Sequence, residues 1–112
     1  MKTRACYNAR PVAQLDLDSA TELAEIFRLM GDPSRLRIIL ACSGEPICVG
    51  DVAGQLELPQ SLVSHHLRLL RAARLVRSER RGKQIFYCLA DAHVRCVIAD
   101  MVEHVQEPGE ES

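Results

Sequence analysis

Two residue pairs near the C-terminus have the types and spacing to hold a metal ion: Asp91-x-His93 and, eleven residues after that histidine, His104-x-x-Glu107. Carboxylate oxygens and imidazole nitrogens are donors for zinc and related divalent ions. At about 100° per residue, eleven helical residues advance the chain roughly 20° beyond three full turns, so both histidines share a face. They also stand about 16 Å apart along the axis, and one ion with bonds near ~2 Å cannot bridge that gap inside a single helix. The pattern closes when two copies of the helix pack antiparallel about a two-fold axis. Asp91 and His93 of one copy then meet His104 and Glu107 of the other, giving two equivalent sites of two nitrogens and two carboxylate oxygens. That donor set favours Zn²⁺, and after it Co²⁺, over ions that prefer thiolates. Four protein ligands leave no open position for a substrate, which argues against an enzyme.

A second chemistry is carried by cations. Ser61, Ser64, His65, Arg68 and Arg71 recur at helical spacing as one polar and basic stripe, with Gln60 at its start and His66 beside it as a contact or a flank. Alone, such a stripe also describes a solvated helix face. From Arg68 to Lys83, however, seven cations face the single acid Glu79, a local charge of +6 in a chain of net charge −1. Asp100, Glu103, Glu107, Glu110 and Glu111 gather much of the compensating negative charge near the C-terminus. A basic element beside an acidic one points to nucleic acid at the first of them.

The elements that position these groups are mostly helices. Ser19, with Glu22 completing an S-x-x-E box, predicts the cap of a first helix carrying Leu23, Ile26, Phe27 and Met30 and stopped by Gly31. Asp32-Pro33 predicts the start of a second helix, burying Leu36, Ile39 and Leu40 and ending near Ser43-Gly44. A third runs from about Cys48 to Leu56, weakened by Gly50 and Gly54. After Leu58-Pro59, Ser61 caps a fourth reaching about Ala73, with Val63, Leu67 and Leu70 turned inward. Two short helices and a tight turn, the second helix bearing the stripe, match a helix-turn-helix reader of the major groove. Val76–Glu79 and Lys83–Leu89 switch to a period of two and predict a β-hairpin around Arg80-Arg81-Gly82-Lys83, whose cations suit flanking phosphates. A last helix from about Asp91 to Val105 presents Val94, Val97, Ile98, Met101, Val102 and Val105.

Residues 1–14 read as a loose arm, 15–107 as one domain and 108–112 as an acidic tail, since 112 residues suffice for one modest core. The chain is 47% hydrophobic and 26% charged, as soluble domains are. No apolar run approaches the roughly 18 residues of a membrane span and no signal-peptide segment is evident, so the expectation is a cytoplasmic protein whose five cysteines are thiols or ligands.

Several segments together resemble the ArsR/SmtB family of metal-responsive winged-helix repressors. They are Gly31-Asp32-Pro33-Ser34-Arg35-Leu36-Arg37, Ile47-Cys48-Val49-Gly50-Asp51-Val52, Gln60-Ser61-Leu62-Val63-Ser64-His65-His66-Leu67 and Arg81-Gly82-Lys83-Gln84-Ile85-Phe86-Tyr87. The two donor pairs are similar to the zinc site of the family's SmtB-like branch. The resemblance implies a mainly α fold with a small β-hairpin, a winged helix-turn-helix that dimerises through its terminal helices. It implies a repressor of an imperfectly palindromic operator that lets go when a divalent ion binds. It also implies that the second nitrogen of His104 bonds to backbone near the end of the reader helix. A second donor set of the branch falls on Cys48, Asp51 and the arm residue Cys6, with Gly50 where a Cys-x-Cys version has its second thiol. Two alternatives stay open: inducers such as Cd²⁺, Pb²⁺, Co²⁺ or Ni²⁺, and a thiol sensor of oxidants or persulfides using Cys42 with Cys96.

Overall fold

A computed structural model describes residues 12–109, which leaves Cys6 and most of the arm, together with the last three residues of the tail, outside the described residues. Helix α1 (Leu17–Met30) starts at Asp16, whose carboxylate accepts the Ser19 N–H at 2.8 Å. Ser19 is thus the residue that receives the cap. A carboxylate is a stronger acceptor than a hydroxyl and gains from the helix dipole, so Asp16 takes the role expected of Ser19. Helix α2 (Pro33–Ala41) begins as predicted, with Asp32 accepting the Arg35 N–H at 3.0 Å and Pro33 in the first turn. Its inner face differs: Ile38 and Ile39 are fully buried, whereas Leu36 and Leu40 stay partly exposed. Four apolar residues within five positions leave the period of this helix ambiguous, and its neighbours decide which side turns inward.

Strand β1 (Ile47–Cys48) is too short to leave any alternation in the sequence, and it pairs with a later strand through Ile47↔Tyr87 and Cys48↔Phe86. Helix α3 (Val49–Leu56) follows at once and ends on Glu57, left-handed at φ 57°, with the Leu58 N–H donating to the Ala53 carbonyl at 3.1 Å. This closing bond satisfies a terminal carbonyl and turns the chain tightly into α4 (Gln60–Ala72). There Pro59 stands at the N-cap and its carbonyl accepts from Leu62 and Val63, without the side-chain cap expected of Ser61.

The hairpin of β2 (Val76–Arg81) and β3 (Gln84–Leu89) is in register from Val76↔Leu89 to Arg81↔Gln84. Its two-residue turn, Gly82-Lys83, is shorter than the sequence suggests, because Arg80 and Arg81 continue the ladder. Gly82 takes φ 63°, open to glycine without a steric cost. The sheet order is β1-β3-β2, all antiparallel. Helix α5 (Ala92–Gln106) closes the chain, its first turn capped by Asp91 Oδ1 accepting the Val94 N–H at 3.0 Å.

The core lies where α2, α3 and α4 meet the base of the hairpin. Ile38, Ile39, Val52, Val63, Leu67 and Leu70 have no exposed surface. Val63, Leu67 and Leu70 repeat at helical spacing and pin α4 from one side, each contributing about 1.5–3 kcal/mol by burial. The outer helices are less covered. Leu23 and Phe27 on α1, and Val97, Met101 and Val105 on α5, are 42–76% exposed, while Ile98 faces the core. An apolar surface of this kind on a small domain calls for a partner.

Candidate nucleic-acid interface and metal half-sites

Packing one side of α4 into the core leaves the other in solvent. Gln60, Ser61, His65 and Arg68 are exposed and Ser64 is half-buried, along a helix held at its N-terminus by the tight turn from α3. This is the placement a groove reader needs: rigid backing and a free polar face. Two residues of this region lie elsewhere. His66 points inward, only 8% exposed, and Arg71 lines a groove between α1, β2 and α5. Of the two roles its sequence position left open, contact or flank, His66 is therefore not on the contact face. One residue per 100° separates it from His65, whose ring centroid lies 5.8 Å away but on the solvent side.

Inside, His66 Nδ1 has no hydrogen-bond partner among the described residues, and burial pushes its pKa below the ordinary value, with Arg35 and His65 acting in the same direction and Asp32 against. A histidine depressed in the fold takes up protons more readily when unfolded, so its contribution to stability is full above about pH 6.5 and falls as pH drops below that value. Asp32 is held low chiefly by the Arg35 amide and loses its contribution only below the usual carboxylate value of 3.8. The urea midpoint is accordingly expected to be lower at pH 5.5 than at pH 7.5. His66→Gln, which cannot titrate, should flatten that difference.

At the hairpin tip Arg80, Arg81 and Lys83 are exposed. Arg81 is already ordered: its Nε donates to Glu79 Oε2 at 2.7 Å and its guanidinium lies 5.0 Å from the Phe86 ring centre. Glu79 and Phe86 are cross-strand partners, and Arg81 follows Glu79 by two residues, so strand alternation puts all three on one face. A cation over an aromatic ring with its remaining N–H groups in solvent suits a phosphate.

The metal donors divide by element. Asp91 and His93 stand at the start of α5, with His93 Nδ1 3.8 Å from the Asp91 Oδ1 that also caps the helix. His104 and Glu107 are exposed at its other end. Both pairs are accessible oxygen and nitrogen donors, chemically suited to a borderline divalent ion. Among the described residues no group of three or more His, Cys, Asp and Glu converges, and the two pairs stand at opposite ends of α5. Cys48 and Asp51 share the opening of α3, Cys48 half-buried and Asp51 exposed, while their expected companion Cys6 lies outside the described residues.

The remaining thiols differ in exposure. Cys42, at the end of α2, is fully buried, and burial first and the neighbouring Cys88 thiol second push it up to about 12. A thiol so protonated is a poor nucleophile. Cys96 is exposed on α5. The neighbour of Cys42 is thus another core thiol, Cys88, while Cys96 lies on the surface.

Sequence spacing missed Arg71, Arg74 and Arg77 as members of one groove wall. They line about 740 Å³ together with apolar residues of α1 and α5 and with Asp91 and His93. Their recurrence every three residues was visible, but it crosses from a helix through a left-handed Arg74, φ 61°, into a strand.

Comparison with known proteins agrees with this geometry. Residues 32–78, from the cap of α2 into β2, match the family model described as bacterial regulatory protein, arsR family. The chain is 42% identical over 93 residues to a transcriptional repressor SmtB homolog of a Synechocystis species, covering 83% of this chain and 70% of that one. It is 34% identical over 88 residues to a cadmium resistance transcriptional regulatory protein CadC homolog of Staphylococcus aureus, covering 77% and 72%. The crystal structure of NolR from Sinorhizobium fredii superposes with a TM-score of 0.74 at 28% identity, over 88% of this chain and 99% of that one. The chain therefore has a winged helix-turn-helix fold and belongs to the arsR family of bacterial regulatory proteins, as a DNA-binding transcriptional regulator rather than an enzyme.

Proposed function

We propose that this regulator is a homodimeric repressor that binds operator DNA when metal-free and releases it when Zn²⁺ occupies two sites, each built from Asp91 and His93 of one subunit and His104 and Glu107 of the other. The observation that carries the reading is the division of accessible donors between the two ends of α5, beside the uncovered Val97, Met101 and Val105. An apolar stripe gives two such helices a reason to pack antiparallel, and antiparallel packing is what brings unlike ends together. The cadmium-resistance relative supports a divalent ion as inducer. The nitrogen and carboxylate donors support zinc in particular. Bound there, the ion supplies a positive centre that two subunits share.

In the dimer Ser61, Ser64, His65 and Arg68 approach base edges, with Gln60 at the helix start, and the two readers lie about 34 Å apart across an imperfect palindrome. Arg80, Arg81 and Lys83 hold the flanking backbone. As the family resemblance implies, His104 would bond through its second nitrogen to backbone near the end of α4, which would tie its first, metal-facing nitrogen to the reader. Cys48 and Asp51, with Cys6 as the companion the resemblance assigns them, would be a second donor set.

Titrating the reduced protein on its promoter DNA with Zn²⁺, Co²⁺, Ni²⁺, Cd²⁺ and Pb²⁺, with and without an oxidant, tests the proposal. Zinc should lower DNA affinity most, and by linkage DNA should lower zinc affinity by the same factor. Equal affinity with and without saturating Zn²⁺ would refute it. Arg81→Ala should weaken all DNA sequences alike and reduce the salt slope by about 1, as measured by anisotropy at several salt concentrations.

A further inference from the structure

The half-site Asp91 and His93 does not stand on an open helix end. Both residues line the groove of about 740 Å³ whose floor includes Leu23 and Phe27 of α1 and Val94 and Val97 of α5. Its wall carries Arg71, Arg74 and Arg77. Among the described residues Arg71 and Arg77 have no acidic partner, and Arg74 reaches Glu22 only at 3.8 Å across side chains 85% and 70% exposed. Ion pairs of that kind contribute little. An apolar floor with three underused guanidinium groups is therefore a receptor for a segment that is apolar along one side and acidic at one end.

The chain contains such a segment. The second half of α5 exposes Met101 and Val105 and carries Glu103 and Glu107, at the helix end where the macrodipole is already negative. Antiparallel pairing brings that half of one α5 to the first half of the other, which borders the groove. We propose that in the metal-free dimer the arginine wall receives Glu103 and Glu107 of the second copy, so that Glu107 exchanges between an arginine and the metal ion. This rests on the dimeric reading above and adds a competitor to it. Without the arginines, Glu107 would face Asp91 across the interface with like charge and no counter-ion. With them, the metal-free interface is held by charge, and metal capture of Glu107 frees guanidinium groups at the junction of reader helix and wing. Arg71 ends α4, and Arg74 and Arg77 flank the start of β2. The exchange thus changes the charge at the joint between both DNA-contacting elements.

Arg74→Gln with Arg77→Gln removes two of the three charges from exposed positions. In metal-free buffer, sedimentation equilibrium of the full chain should show dimer dissociation roughly tenfold more favourable than in the unsubstituted protein, with a shallower salt dependence. Zinc affinity, read by competition with a chromophoric chelator, should tighten several-fold because the competitor is gone. Glu107→Gln should loosen the metal-free dimer similarly, and combining it with the arginine substitutions should add little. Unchanged dimer affinity and salt slope in both variants would overturn the proposal. So would loss of operator affinity alone, which would assign the wall to DNA phosphates. The dimer measurements contain no metal, so they stand apart from failure of zinc sensing, which the promoter titration reads.

Discussion

His104→Ala is expected to hold operator DNA as tightly as the unsubstituted protein and to lose the response to zinc. Coupling between effector and DNA in such proteins typically spans about 5–150-fold in affinity, and the variant should reduce that factor to about one. The side chain is exposed at the end of α5, so its removal should change stability by no more than about 0.5 kcal/mol. Fluorescence anisotropy on promoter DNA, with chelator and with saturating Zn²⁺, separates the two properties. A variant that still releases DNA on zinc addition would remove His104 from the sensing site and with it the two-subunit quartet. A variant that fails to bind DNA without metal would instead mark His104 as structural. The expected result is informative because the proposed donors and the DNA-facing side chains are different residues: Ser61, His65 and Arg68 lie on α4, the donors on α5 and its caps.

The other large effect belongs to the backing of the reader. Leu67→Ala should destabilise the protein by about 2–5 kcal/mol, because the side chain has no exposed surface and truncation leaves a cavity that the rest of the core only partly fills. Against total stabilities of about 5–15 kcal/mol this is a large share. Urea unfolding at one fixed protein concentration measures it, the concentration mattering because dimerisation adds to apparent stability. Leu67→Met, which keeps the volume, should cost less than about 1.5 kcal/mol. DNA affinity should follow the folded fraction in both variants, since Leu67 turns away from the stripe that Ser64 and Arg68 carry. A loss of affinity in Leu67→Met without loss of stability would mean that the packing of α4 also sets the aim of its outer face.

Much of this protein is legible in its sequence because the signals are local. Asp32-Pro33 starts a helix through its own carboxylate and ring, and Gly82 makes the hairpin turn by its own φ. The period of α4 separates Val63, Leu67 and Leu70 from Ser61, His65 and Arg68 without reference to anything else in the chain. The spacing of the two donor pairs likewise sets them about three turns apart on α5 by helix geometry alone. What only the tertiary structure decided are choices that depend on neighbours distant in sequence. The inner face of α2, apolar on more than one side, is set by α3 and α4. The two-residue β1 exists because β3 is beside it. His66 turns inward next to α2 although it adjoins the DNA stripe, and Arg71, in phase with that stripe, ends on the groove of α1 and α5. Periodicity states which residues of an element share a side. Which side meets the core, the DNA or a second subunit is settled by packing, because burial free energy depends on the surface that arrives from elsewhere in the fold.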